Sequence, residues 1–139
     1  MATNLPNATS SKQLWTGRVL SGLVIAFLLF DGIIKLLPLP VVTETMAQLG
    51  YSNGAGLARG LGILTLVCAG LYAIPRTSML GAVLLTGLFG GAMATHLRVD
   101  CPVFSHFLFG MYLGVMAWGG LFLRDHRVRA LLPWRRGSD

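Results

Sequence analysis

Charge is what this sequence has least of. Only 12% of its 139 residues are charged, and only 5 are acidic. A soluble domain is about a quarter charged, so there is too little charge here to make a hydrated shell. Cysteine is nearly as scarce. There are 2, with no C-x-x-C and no Cys/His spacing suited to zinc. That excludes a disulfide framework, a structural zinc site and a thioredoxin-type centre. No haem-ligation pattern and no flavin-binding motif is present, so no cofactor is evident. Alternating apolar and polar runs are also missing, which argues against the strands of a membrane β-barrel.

In their place stand long apolar stretches. Hydrophobic residues make up 54% of the chain and 18 residues are glycine. Four segments are nearly free of charge: Val19 to Leu37, Leu57 to Ile74, Met79 to Leu97 and Val103 to Leu123. Each is close to the ~20 residues that cross a hydrocarbon layer about 30 Å thick. Lipid offers no hydrogen bonds, so a lipid-crossing backbone must satisfy its own, and the segments are expected to be helices. The first is too long for a signal peptide and no A-x-A cleavage site follows it.

Proline punctuates the boundaries. Pro38 and Pro40 stop the first helix, Pro75 marks a tight turn, and Pro102 precedes the fourth segment. Short links make successive helices antiparallel. In the longer link, Val42, Met46 and Leu49 share a helical face and Gly50 is a suitable stop. Val41 to Leu49 is therefore expected to be a short amphipathic helix on the membrane surface. The fold class expected is an all-α membrane protein: a four-transmembrane-helix bundle with a short interfacial helix between helices 1 and 2. Residues 1–17 are expected to be a disordered cytoplasmic tail, 18–124 the four-helix transmembrane domain, and 125–139 a basic cytoplasmic tail.

The net charge of +6 raises the question of nucleic acid. The excess sits at the chain ends beside apolar segments, without a basic face carrying stacking aromatics, so nucleic acid is excluded as a partner. Lys12, Arg18, Arg76, Arg124, Arg127, Arg129, Arg135 and Arg136 fall on one side of the layer. Lys35, Arg59 and Arg98 fall on the other. The positive-inside rule then puts both termini in the cytoplasm. The basic tail, with His126 in it, is expected to lie along headgroups.

Helices in lipid associate through close packing at small residues. Gly56 and Gly60, Gly87 and Gly91, and Gly110 and Gly114 each form G-x-x-x-G. The third segment also carries Gly81, Gly90, Ala82, Ala92 and Ala94, and is expected to be the central helix. These faces serve packing within the chain, self-association, or docking to another membrane protein.

Asp31 and Lys35 are four apart, share a helix face and can pair. A lone charge at the bilayer centre costs about 2.5–3.5 kcal/mol, so both should face protein or water. The pair either fixes helix orientation or belongs to a functional site. Topology brings Asp31, Lys35, Glu44, Arg59, His96, Arg98, Asp100 and His106 to one end of the bundle. Such a group can move protons, hold an anionic headgroup, meet a quinone carbonyl, or form a solvated rim. Cys68 reads as a small apolar packer and Cys101 as a thiol in the outer link.

Longer patterns resemble a known family. They are Phe30-x-Gly32-x-x-Lys35-Leu36, Ile74-Pro75-Arg76-Thr77 to Gly81-Ala82, Leu85-Thr86-Gly87, Gly90-Gly91-Ala92 and Ala94-Thr95-His96-Leu97-Arg98. Phe104-Ser105-His106, Tyr112-Leu113-Gly114 and Trp118-Gly119-Gly120-Leu121 through Leu123-Arg124-Asp125 continue them. Together they resemble the DoxX-like family over nearly the whole chain from Arg18. The resemblance implies a bacterial protein with four transmembrane helices. More distantly, the chain is similar to a membrane subunit of a thiosulfate:quinone oxidoreductase, which implies a quinone-linked redox role. The chain departs from the family pattern at Thr65, where an acid is frequent, and at Leu88, near which a tyrosine is frequent. Asp100-Cys101-Pro102 also replaces Gly-Asp-Pro.

Two functions follow. One is a small redox-associated membrane subunit that binds quinone at the outer end and borrows its electron carrier from a partner. The other is a non-catalytic scaffold that stabilises a membrane partner.

Overall fold

The computed structural model describes residues 10–37, 39–100 and 108–131. The terminal stretches, Pro38, and the link holding Cys101, Pro102 and His106 lie outside the described residues. The described elements are helical: α1 (Ser11–Leu36), α2 (Pro40–Gln48), α3 (Gly54–Ala73), α4 (Ser78–Arg98), α5 (Leu108–Arg124) and α6 (His126–Leu131). By length and composition α1, α3 and α4 are each apolar enough to cross a membrane, and α5 is a shorter apolar helix. α1 begins at Ser11, well ahead of the apolar run, so residues 11–17 are helical. Hydropathy marks where a helix is greasy; its hydrogen-bonded ladder runs on into polar sequence.

The bundle is square and antiparallel. α1 packs against α3 and α5, and α4 packs against the same two helices, so α1 and α4 stand at opposite corners. The closest approaches are made by glycines outside the G-x-x-x-G spacings. A Cβ on Gly17 would stand 2.9 Å from the Gly120 carbonyl oxygen, and one on Gly120 would stand 3.1 Å from that of Gly17. A Cβ on Gly62 would meet the Gly32 carbonyl at 2.8 Å, and one on Gly32 would meet Leu66 at 2.7 Å. Backbone thus touches backbone at both ends of α1. The expectation of α4 as the central helix is corrected: α3 touches α1, α2 and α4, while α4 packs on two neighbours as α1 does, its tight contact being at Gly81, where a Cβ would run into the Tyr72 backbone. On α4 a Cβ at Gly87, Gly90 or Gly91 would meet nothing within 4 Å.

Two apolar clusters form. The larger joins Val24, Leu28, Cys68, Tyr72, Leu85, Phe89, Leu113, Ala117, Leu121 and Val128 across α1, α3, α4, α5 and α6. The segment expected to lie along headgroups therefore contains a helix whose Val128 is 1% exposed. The smaller cluster joins Val42, Met46 and Leu49 to Ala58 of α3. α2 exists where expected, but its apolar face is spent on α3. Gly50 ends it with φ +85°.

Tyr72 is fully buried and ties three helices together. Its hydroxyl donates to the Ala117 carbonyl at 2.7 Å. A phenol has one proton, so the Ser21 hydroxyl, 3.0 Å away, donates to the Tyr72 oxygen. Trp118 Nε1 donates to Thr86 Oγ1 at 2.8 Å, joining α5 to α4.

Two measurements check this packing. Gly62→Val drives a side chain into the α1 backbone and should cost about 1–3 kcal/mol in unfolding of the purified protein in detergent. Gly60→Val, which meets nothing within 4 Å, should change stability by less than about 0.5 kcal/mol. Tyr72→Phe removes the bond to the Ala117 carbonyl and leaves the buried Ser21 hydroxyl without this acceptor, and should cost about 1–2 kcal/mol in the same assay.

Candidate functional site

The two apolar clusters do not meet. Between them lies a cavity of about 680 Å³, within the range of small-molecule sites. Its floor is core: Leu28 of α1, Cys68 of α3, Phe89 of α4 and Leu113 of α5. Its roof is the α2 region, through Thr45, Met46, Leu49 and Tyr51. Phe27 and Phe109 meet edge to face on one wall, with centroids 4.9 Å apart at 71°. The wall between α3 and α4 includes lining residues that are also exposed outside, namely Leu57, Leu64, Leu84, Gly87 and Gly91. Among the described residues, the cavity therefore opens between those two helices. Gly87 and Gly91 thin that wall because they carry no side chain.

The polar groups gather at the α2 end. Lys35 Nζ donates to Asp31 Oδ2 at 2.5 Å, with the two side chains 25% and 27% exposed. Both line the cavity, as does half-buried His96 near the end of α4. The close approach of α1 to α3 positions the pair. A Cβ on Gly62 would stand 3.1 Å from Lys35 Cβ, so the lysine stem runs past α3 only because residue 62 is glycine. An ammonium neutralised by a neighbouring carboxylate still has two N–H groups left to donate. The His96 imidazole, on the same lining, either donates or accepts. Such a rim can hold a carbonyl oxygen at the mouth of an apolar chamber. No metal-binding group of His, Cys, Asp and Glu occurs among the described residues.

Asp31, Lys35 and His96 are thus the sequence-predicted site residues brought to one cavity. Glu44 and Arg59 are exposed and do not line it. Arg98 Nη2 donates to the Leu49 carbonyl at 3.3 Å and latches the end of α4 to the end of α2. Asp100 is exposed with φ +52°, a left-handed conformation that Asp tolerates better than most residues. His106 lies outside the described residues. Sequence reasoning missed Tyr51, Thr65 and Leu88 as lining residues. Thr65 Oγ1 is turned back onto the Leu61 carbonyl at 2.8 Å. Periodicity carries no signal for these three, because a gap between helices is set by where the helices touch elsewhere.

No curated protein and no solved structure matches the chain. The sequence profile of the DoxX-like family matches residues 19–120, a stretch that covers most of α1, all of α2, α3 and α4, and α5 as far as Gly120. The chain belongs to the DoxX-like family.

Proposed function

We propose that this DoxX-like membrane protein crosses a bacterial inner membrane four times, with both termini in the cytoplasm, and binds a quinone or similar lipid-soluble carrier as the membrane subunit of a redox partner. The single observation that carries this reading is the cavity of about 680 Å³ with Asp31, Lys35 and His96 at one end. An amphipathic carrier needs an apolar chamber for its tail and hydrogen-bond donors for its carbonyls. The residues present fit that need. Leu61, Leu64, Leu84 and Leu88 supply the apolar walls, and Lys35 and His96 supply the donors. The opening between α3 and α4 lets a carrier enter from lipid without crossing water.

Quinones take up two electrons and two protons, and the electrons would come from a partner that holds a redox centre. This chain's residues bind, orient and exchange protons. Lys35 donates to the carbonyl nearest α1, and Asp31 is its partner in the ion pair that holds it at the rim. His96 holds or releases a proton at the rim, where α2 separates the cavity from bulk water. With Thr65 and Leu88 in place of an acid and a phenol, the inner chamber has little proton chemistry of its own. The rim then carries that role.

Titrating a short-chain ubiquinone or menaquinone analogue into the purified full chain tests this. A ligand at about 100 times its Kd stabilises the folded state by about 2.7 kcal/mol, which raises the melting temperature by several degrees. Lys35→Gln and His96→Gln should each shrink that rise, while Glu44→Gln and Arg59→Gln should not. No rise with any quinone, and no quinone in lipid extracts of the purified protein, would dismiss the reading.

One observation favours the scaffold alternative. Gly90 is exposed on α4, faces open space and does not line the cavity. A second helix could approach closely there. On this reading Gly90→Leu abolishes co-purification with a partner or a second copy while leaving melting temperature and quinone response unchanged.

A further inference from the structure

At the opposite end of the bundle a second cleft, of about 430 Å³, lies among α1, the α3–α4 turn, α5 and α6. Arginines from separate parts of the chain line it: Arg18 of α1, Arg76 of the turn, Arg124 at the end of α5 and Arg127 of α6. The acid beside them, Asp125, is engaged locally, its Oδ1 accepting the Arg127 backbone N–H at 2.9 Å. No described carboxylate forms an ion pair with any of these arginines. Arg124 is held in place. Its Nη2 donates to the Tyr72 carbonyl at 3.1 Å and its guanidinium lies 5.1 Å from the centre of the Tyr72 ring. Its Nε is buried without an acceptor among the described residues.

Like charges gathered in one cleft repel one another unless an anion sits among them, and a buried guanidinium donor without an acceptor is costly. Guanidinium forks match phosphate oxygens in pairs, which makes arginine well suited to this group. We infer that the cleft is a binding site for the phosphate group of an anionic phospholipid. Three features favour a lipid over a soluble ester. The cleft stands where the apolar runs of α1 and α4 end. Val19, Met79 and Leu80 beside it are exposed and offer acyl chains a greasy wall. Basic pockets between helices at the cytoplasmic side are suited to anionic headgroups. The cleft shares no lining residue with the apolar cavity, so this inference does not rest on the quinone reading.

Native mass spectrometry of the full chain, released from neutral detergent with phosphatidylglycerol or phosphatidylcholine added, decides it. Wild type should retain one phosphatidylglycerol in preference to phosphatidylcholine. Arg76→Gln combined with Arg127→Gln, both exposed and outside the Tyr72 contacts, should weaken that retention by roughly tenfold or more, given the pull of each basic residue on an anionic headgroup. Arg59→Gln, exposed at the other end, should not. Equal retention of the two lipids by wild type overturns the proposal, and so does full retention by a double variant with wild-type helicity. If the double variant misfolds, the wild-type lipid comparison still decides. Glycerol-1-phosphate displacing phosphatidylglycerol at equal concentration would overturn the lipid as occupant while leaving a phosphate site.

Discussion

Backbone contact at two pairs of glycines holds α1 in place, and much of the structure follows from it. Leucine gains nothing by leaving lipid for another leucine. Helices in that solvent are located by how closely they can approach. Gly17 against Gly120 joins α1 to α5 near one end, and Gly32 against Gly62 joins α1 to α3 near the other. The two contacts lie on different faces of α1. Together they set its tilt and rotation, and so determine which of its side chains point inward.

The cavity is a consequence of the same geometry. α4 touches α3 and α5 but stands across the bundle from α1. Near the arginine end the gap across the middle is filled by Tyr72, Leu85 and Leu121, all fully buried. Towards α2 the lining of α4 intersperses Leu88, Phe89 and Met93 with Gly87, Gly91 and Ala92, and the gap is not filled. α2 then closes the gap from above with Met46 and Leu49. A close contact at Gly62 and the small residues interspersed on α4 leave a chamber with an ion pair at its rim.

The helices, their antiparallel order and α2 were legible in the sequence, because each depends on local features: apolar runs, prolines and the spacing of Val42, Met46 and Leu49. The pairing of Asp31 with Lys35 was legible for the same reason. The contacts between helices were not. The G-x-x-x-G spacing marks a stripe on one helix and says nothing of what faces it. At Gly87 and Gly91 that is open space. Gly17 and Gly120 lie far apart in sequence, and no spacing rule links them. The polar end was read too broadly for a similar reason. Topology brings Glu44, Arg59 and Asp100 to the same end as Lys35, but their side chains point away from the cavity. Asp100 shows what a departure from the family pattern can mean locally. The backbone there is left-handed, a conformation that the more usual glycine adopts freely and aspartate accepts.

Tyr72 connects the two halves of the molecule. Its hydroxyl lies among α1, α3 and α5 in the packed core, while its carbonyl and ring face hold Arg124 at the rim of the basic cleft. The residues that seal the core on one side therefore also fix a guanidinium on the other. That arrangement separates the tasks of the two ends. The packed, cationic end has little room for an apolar guest and strong reason to hold an anion. The glycine-thinned end has room for an apolar guest and few charges beyond the Asp31–Lys35 pair to hold one. The two ends of the bundle therefore differ in kind, one packed and cationic, the other hollow and largely apolar. Electrostatics governs the first and missing side-chain volume governs the second.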